Sequence, residues 1–217
     1  MKQVFIESDI SSFEDFHDGE WFEKLFEASE QTLFHQHIEE FAAHWWGASR
    51  AFTLPRLLVI SVGDAAGGYE LHGKTNEQLW SEYLQIKAFK GALWKTAEST
   101  YCSIYYAYEN LVVNIISQLS NKYLRVTDRN FNSMVSEILG ASTAGKVWNN
   151  SKISAAKEIR NCLVHNGGKA TPALKRIRPT PLIENENVLI SASDARKLHA
   201  YLKPKVVALI TSNERKS

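Results

Sequence analysis

The chain has little cysteine, little proline and no long apolar run, and each shortage excludes a class of protein. Two cysteines in 217 residues cannot staple a mini-protein. Cys102 and Cys162 lie in apolar, helical-looking segments, which fits reduced, buried thiols of a cytoplasmic protein. Five prolines and eleven glycines form no linker long enough to separate domains, and there is no internal repeat or low-complexity tract. Apolar runs such as Leu57–Ile60 end after a few residues, far short of the roughly 20 that a membrane-spanning helix needs. The amino terminus, MKQVFIESDI, turns acidic at Glu7 and predicts no secretory signal. What is present, 44% hydrophobic and 23% charged residues, suits one globular domain with a sizeable core.

The net charge of +1 conceals a split. Residues 1–144 carry 11 Lys/Arg and 19 Asp/Glu, a net −8, whereas residues 145–217 carry 14 and 5, a net +9. The first forty residues alone hold eleven acids and two lysines. Such a division suits a basic surface for phosphates, an acidic arm for a basic partner, or the two meeting each other; two solvated faces are the plainer alternative.

Helical spacing dominates the pattern. Phe22, Phe26, Phe34, Ile38, Phe41 and Trp45 predict a helix over 20–52, with Asp18 as its cap. The LLVISV segment within 55–75 reads as a strand, followed by a glycine-rich loop. Further helices are expected over 76–93, 97–122, 128–139 with Asp128 as cap, and 144–164. Residues 182–190 read as a hairpin, and a last helix runs to about Ile210, kinked or interrupted at Pro204. The expected fold is mainly α, a helical bundle with one small β-hairpin near the carboxyl terminus. Residues 1–75 supply an acidic helix and loop packed on a bundle of residues 76–217.

One stretch carries chemistry. EIRNCLVHNGGKA places Arg160 and Asn161 ahead of His165, at a helix end marked by Asn166-Gly167-Gly168. The bare Arg-Asn-three-His string arises by chance in roughly one chain per hundred at average residue frequencies, so its setting matters. Histidine can give or take a proton near neutral pH. Arginine offers a charged planar fork that fits two phosphate oxygens. Those are the needs of metal-independent RNA cleavage: a base for the 2′-hydroxyl, an acid for the departing 5′-oxygen and a cation at the phosphorane. One chain brings one such histidine, so a two-fold dimer is expected to supply the second.

This stretch resembles the HEPN superfamily, whose signature is an arginine, a polar residue and a histidine after four to six intervening positions near a helix end. The resemblance is specific over 155–170 and looser over 97–210. It implies a homodimeric helical bundle and, for many members, an endoribonuclease of toxin–antitoxin or antiviral defence systems; other members bind nucleotides or partners without cleaving. It assigns Arg160 to the phosphorane, His165 to acid or base work and Asn161 to orientation, with Asn166 alongside and no cofactor or metal. Glu109, on the apolar stripe of Tyr105, Val112 and Ile116, is expected either to pair with Arg160 or to reach water. Lys169, Lys175, Arg176 and Arg178 follow the motif as candidate contacts for the RNA backbone, or for an acidic antitoxin or defence partner.

Other patterns rank lower. GYELHGKT at 68–75 fits the phosphate-loop string, but LLVISV ends too early to feed it and no parallel sheet is in prospect. His35, His37 and His44 lack further ligands for a metal. Trp45, Trp46 and Phe41 read as core before they read as a stacking surface for bases.

Overall fold

A computed structural model describes residues 9–65, 73–177 and 181–211. A 3₁₀ turn, Ile10–Phe13, leads to α1 (Gly19–Ser29), α2 (His35–Ala65), α3 (Asn76–Tyr83) and α4 (Lys87–Ser120). Then come α5 (Phe131–Leu139), α6 (Ala141–Val147), α7 (Ser151–His165) and α8 (Pro172–Arg176). Strands β1 (Leu182–Glu184) and β2 (Asn187–Leu189) precede α9 (Ala192–Thr211). The expected mainly helical architecture with one hairpin is what the chain adopts.

The frame is α4. Ile104, Tyr105, Tyr108, Leu111, Val112, Ile115 and Ile116 are buried on nearly every side of it, because α2 and α9 pack along it and α5 and α7 cover more of its surface. A helix with so broad an apolar face is a core helix, with a narrow polar strip at Asn110, Asn114 and Gln118 left uncovered. One continuous cluster of buried residues reaches from Ile10 to Ile210, so the acidic amino-terminal region belongs to the same core.

Several boundaries differ from the sequence reading. LLVISV is not a strand: it forms the last third of α2, which passes through Pro55. Phe52, Val59 and Gly63 face inward while Leu57 and Leu58 face out, a helical repeat that burial of one face enforces over the β preference of Val and Ile. The helix expected over 20–52 is two, broken after Ser29, where the Thr32 hydroxyl donates to the Ser29 carbonyl. The break expected near Leu93 falls instead at 84–86, and α4 then runs on to Asn121, whose left-handed φ of 52° ends it. The helix expected over 144–164 divides at Trp148–Asn150, and Asn150 Oδ1 accepts from Ile153 N at 3.1 Å to start α7 afresh. Asp128 does not cap α5; Asn130 holds that position, and Asp128 accepts from Arg125 N at 2.8 Å in the turn before it. Pro204 does not interrupt α9. The hairpin closes through Asn185 and Glu186, both at positive φ, as a two-residue turn requires.

Asp18 is not a cap by its side chain. Buried at the junction of α1, α2 and α9, it accepts from Trp45 Nε1 at 3.0 Å and Lys203 Nζ at 2.8 Å, and contacts His199 Nε2 at 2.7 Å. Burial by itself would raise its carboxyl; hydrogen bonds and charge from His199 and Lys203 outweigh that and hold it below its ordinary value. Arg196 adds a bond from Nε to the Ser12 carbonyl at 2.9 Å and stacks over Phe16. The two oppositely charged regions therefore meet within the chain at α9.

Candidate functional site

The motif stands at the carboxyl end of α7. Ile153, Ala155, Ala156, Ile159 and Cys162 bury one face of that helix, which fixes the directions of the residues between them. Arg160 points back toward α4. Its Nη2 lies 3.5 Å from Glu109 Oε2, its Nη1 donates to Asn161 Oδ1 at 3.0 Å, and its guanidinium carbon sits 6.0 Å from the Tyr106 ring centroid. Of the two alternatives for Glu109, the structure shows the pair: the carboxylate is only 4% exposed. Burial pushes that carboxyl up from its ordinary value, more than the nearby Arg160 and Lys157 charges lower it. Glu109 Oε1 and the Tyr105 hydroxyl one turn earlier are both sealed from solvent, and Tyr105 beside the carboxylate works against that rise.

His165 ends the helix in solvent, and no hydrogen bond or ion pair joins it to Arg160 among the described residues. The chain then reverses. Asn166 N and Gly168 N both donate to the Cys162 carbonyl, at 3.2 and 2.9 Å, and Gly167 and Gly168 take φ of 59° and 83°. From there the backbone runs beside β2: Val188 N donates to the Gly168 carbonyl at 2.8 Å and Ala170 N to the Glu186 carbonyl at 2.7 Å. Thr171 caps α8, and the exposed Lys169, Lys175 and Arg176 are thereby held close behind His165 in the chain. Arg178 lies outside the described residues.

Within one chain the structure brings Arg160, Asn161 and Glu109 together, and leaves His165 and Asn166 apart from them at the helix tip. Val164, beside His165 in the chain, is 55% exposed, and Tyr106 beneath the guanidinium is 44% exposed, so apolar surface flanks the motif. Burial, then the Glu98 carboxylate, push the Cys102 thiol up to about 12, which disfavours its thiolate.

The lower-ranked patterns find structural roles. Thr75 caps α3 in a box with Gln78, and Lys74 pairs with Glu82 at 2.7 Å; residues 68–72 of that string lie outside the described residues. Trp45 and Phe41 are core, whereas Trp46 stacks on Phe22. His35 and His37 sit within 4 Å of Glu39 and Glu40 respectively. Among the described residues no group of three or more His, Cys, Asp or Glu is arranged to hold a metal ion, and no helix is long and apolar enough to cross a membrane.

The sequence reading missed a groove of about 760 Å³ that starts at Glu109 and follows α4 to the 121–126 loop. Its signal was present as Asn110, Asn114 and Gln118, amides at four-residue spacing on an otherwise apolar helix. No protein-family model, curated protein or solved structure matches the chain.

Proposed function

We propose that the chain is a metal-independent endoribonuclease of HEPN type, acting as a homodimer in a toxin or antiviral defence role in the cytoplasm. The supporting observation is the end of α7: an arginine anchored to α4 by Glu109, then a solvent-facing histidine, then a glycine turn that lays a basic segment alongside. In this reading Arg160 of each protomer meets the phosphorane, while His165 from one protomer removes the 2′-hydroxyl proton and His165 from the other protonates the leaving 5′-oxygen. Asn161, bonded to Arg160, sets the angle of the guanidinium. Attack of the 2′-oxygen on phosphorus expels the 5′-oxygen and leaves a 2′,3′-cyclic phosphate. Lys169, Lys175 and Arg176 hold the RNA backbone, or the acidic partner that keeps the nuclease silent.

A second reading rests on one observation: Arg160 is engaged with Glu109 rather than turned toward His165. On that reading the same surface binds a nucleotide or a partner and cleaves nothing. The two part company in one experiment. Purified wild type is incubated with varied RNAs, with and without EDTA, beside Arg160→Ala and His165→Ala. The nuclease reading expects EDTA-insensitive cleavage by wild type alone and relief of growth toxicity by Arg160→Ala; wild type no more active than His165→Ala overturns it.

A further inference from the structure

The groove along α4 runs between the Glu109 that anchors the motif and the 121–126 loop, which the Ser117 hydroxyl holds by accepting from Leu124 N. Its floor is a row of amides and a hydroxyl, Asn110, Asn114, Ser117 and Gln118. Asn110 to Gln118 spans about 12 Å at 1.5 Å per residue. At the motif end it reaches Glu109, whose carboxylate is buried against Arg160. At the far end Tyr123 is 83% exposed, with the Arg125 guanidinium 5.5 Å from its ring centroid, and Lys122 stands beside them.

We propose that this groove is a track for single-stranded RNA, reading the bases next to the motif. Amides donate and accept at once, the property needed to meet base edges, and Asn and Gln suit adenine in particular. Tyr123 with Arg125 offers a flat, cation-backed face on which an unpaired base stacks, and Lys122 and Arg125 meet the phosphates. A duplex hides those edges and faces, so the groove selects unpaired strands. An acidic peptide would find only Lys122 and Arg125 to pair with, and the amide row would add little. The assignment takes RNA as the ligand from the proposed function, but not catalysis.

The test uses the full chain with His165→Ala, which keeps RNA intact, and fluorescence anisotropy with a short labelled mixed-sequence RNA, single-stranded or annealed to its complement. The parent is expected to bind the single strand more tightly than the duplex. Tyr123→Ala, and Asn114→Leu with Gln118→Leu, each weaken single-strand binding about tenfold, a typical loss for one stacked base, while duplex binding stays as it was. Groove variants that bind the single strand like the parent overturn the assignment, as does a parent that binds no RNA. Variants that change oligomeric state on a sizing column while keeping RNA affinity also overturn it, because the groove is then a subunit seam. If His165→Ala cleaves RNA as wild type does while groove variants still lose affinity, the nuclease reading falls and the track stands. If cleavage needs His165 but the groove variants bind normally, the track alone falls.

Discussion

Asp18→Ala should be among the most costly single substitutions in the molecule. The carboxylate serves Trp45, His199 and Lys203 at 3.0, 2.7 and 2.8 Å, and its side chain is 7% exposed. Removing it strands the indole N–H of Trp45, which is wholly buried, and an imidazole side chain that is 5% exposed. The Lys203 side chain is 25% exposed and can turn to water. Hydrogen bonds to charged groups contribute about 1.5–3 kcal/mol each, and unpairing a buried ion costs about 3–5 kcal/mol. Two stranded partners thus put Asp18→Ala at about 3–5 kcal/mol, or about 6–20 °C in Tm for a chain of this size. Lys203→Ala should cost about 1 kcal/mol, because the remaining partners still satisfy the carboxylate. The folded carboxyl titrates below its ordinary value of 3.8. Its contribution is therefore present above that pH and disappears as the pH falls through the lowered folded value. Urea unfolding of wild type, Asp18→Ala and Lys203→Ala at neutral pH checks the ranking, and acid titration checks the sign. Equal losses for the two variants at neutral pH, with unchanged m-values, would refute the reasoning.

Glu109 gives the opposite sign. Burial raises its folded value above 4.5, so wild type loses stability as the pH climbs from that region through the raised value, and Glu109→Gln does not. The variant should gain on wild type as the pH rises from about 4.5 through that raised value in paired urea titrations; a flat or reversed difference would mean that the Arg160 contact outweighs burial. The helical register of the last part of α2 predicts that Val59→Ala costs about 1–2 kcal/mol and Leu58→Ala within about 0.5 kcal/mol. A strand with Leu58 inward would invert that order in thermal melts. RNA cut by wild type should carry 2′,3′-cyclic phosphate termini, and Arg160→Ala should lower the rate by at least about 100-fold in a gel assay; a smaller loss shows that Arg160 does not meet the phosphorane.

The element types were legible where burial and local chemistry agreed. The stripe from Tyr101 to Ile116 follows from periodicity and stands in the structure, and the positive-φ stop after His165 stands at Gly167 and Gly168 but not at Asn166, whose φ is −116°. LLVISV failed because a short apolar run with three β-branched residues, Val59, Ile60 and Val62, reads alike in a strand and in a helix, and only the burial of one face decides. The Asp18 cluster was invisible because its partners lie 27, 181 and 185 residues away. Within the candidate site, Glu109 opposite Arg160 was readable from an acid on an apolar stripe. The groove was not read, since its far wall is a loop whose path depends on where Asn121 turns the chain.

The segment leaving the motif also does something for the hairpin. A free two-stranded ribbon leaves backbone donors and acceptors bare along both margins, ready to recruit a stray strand. Here residues 168–170 bond to β2 as a short third member and seal one of those margins. Anything that draws the basic segment outward, a nucleic acid included, must unzip it first, so hydrogen exchange at Ala170 and Val188 reports on occupancy of the motif's neighbourhood.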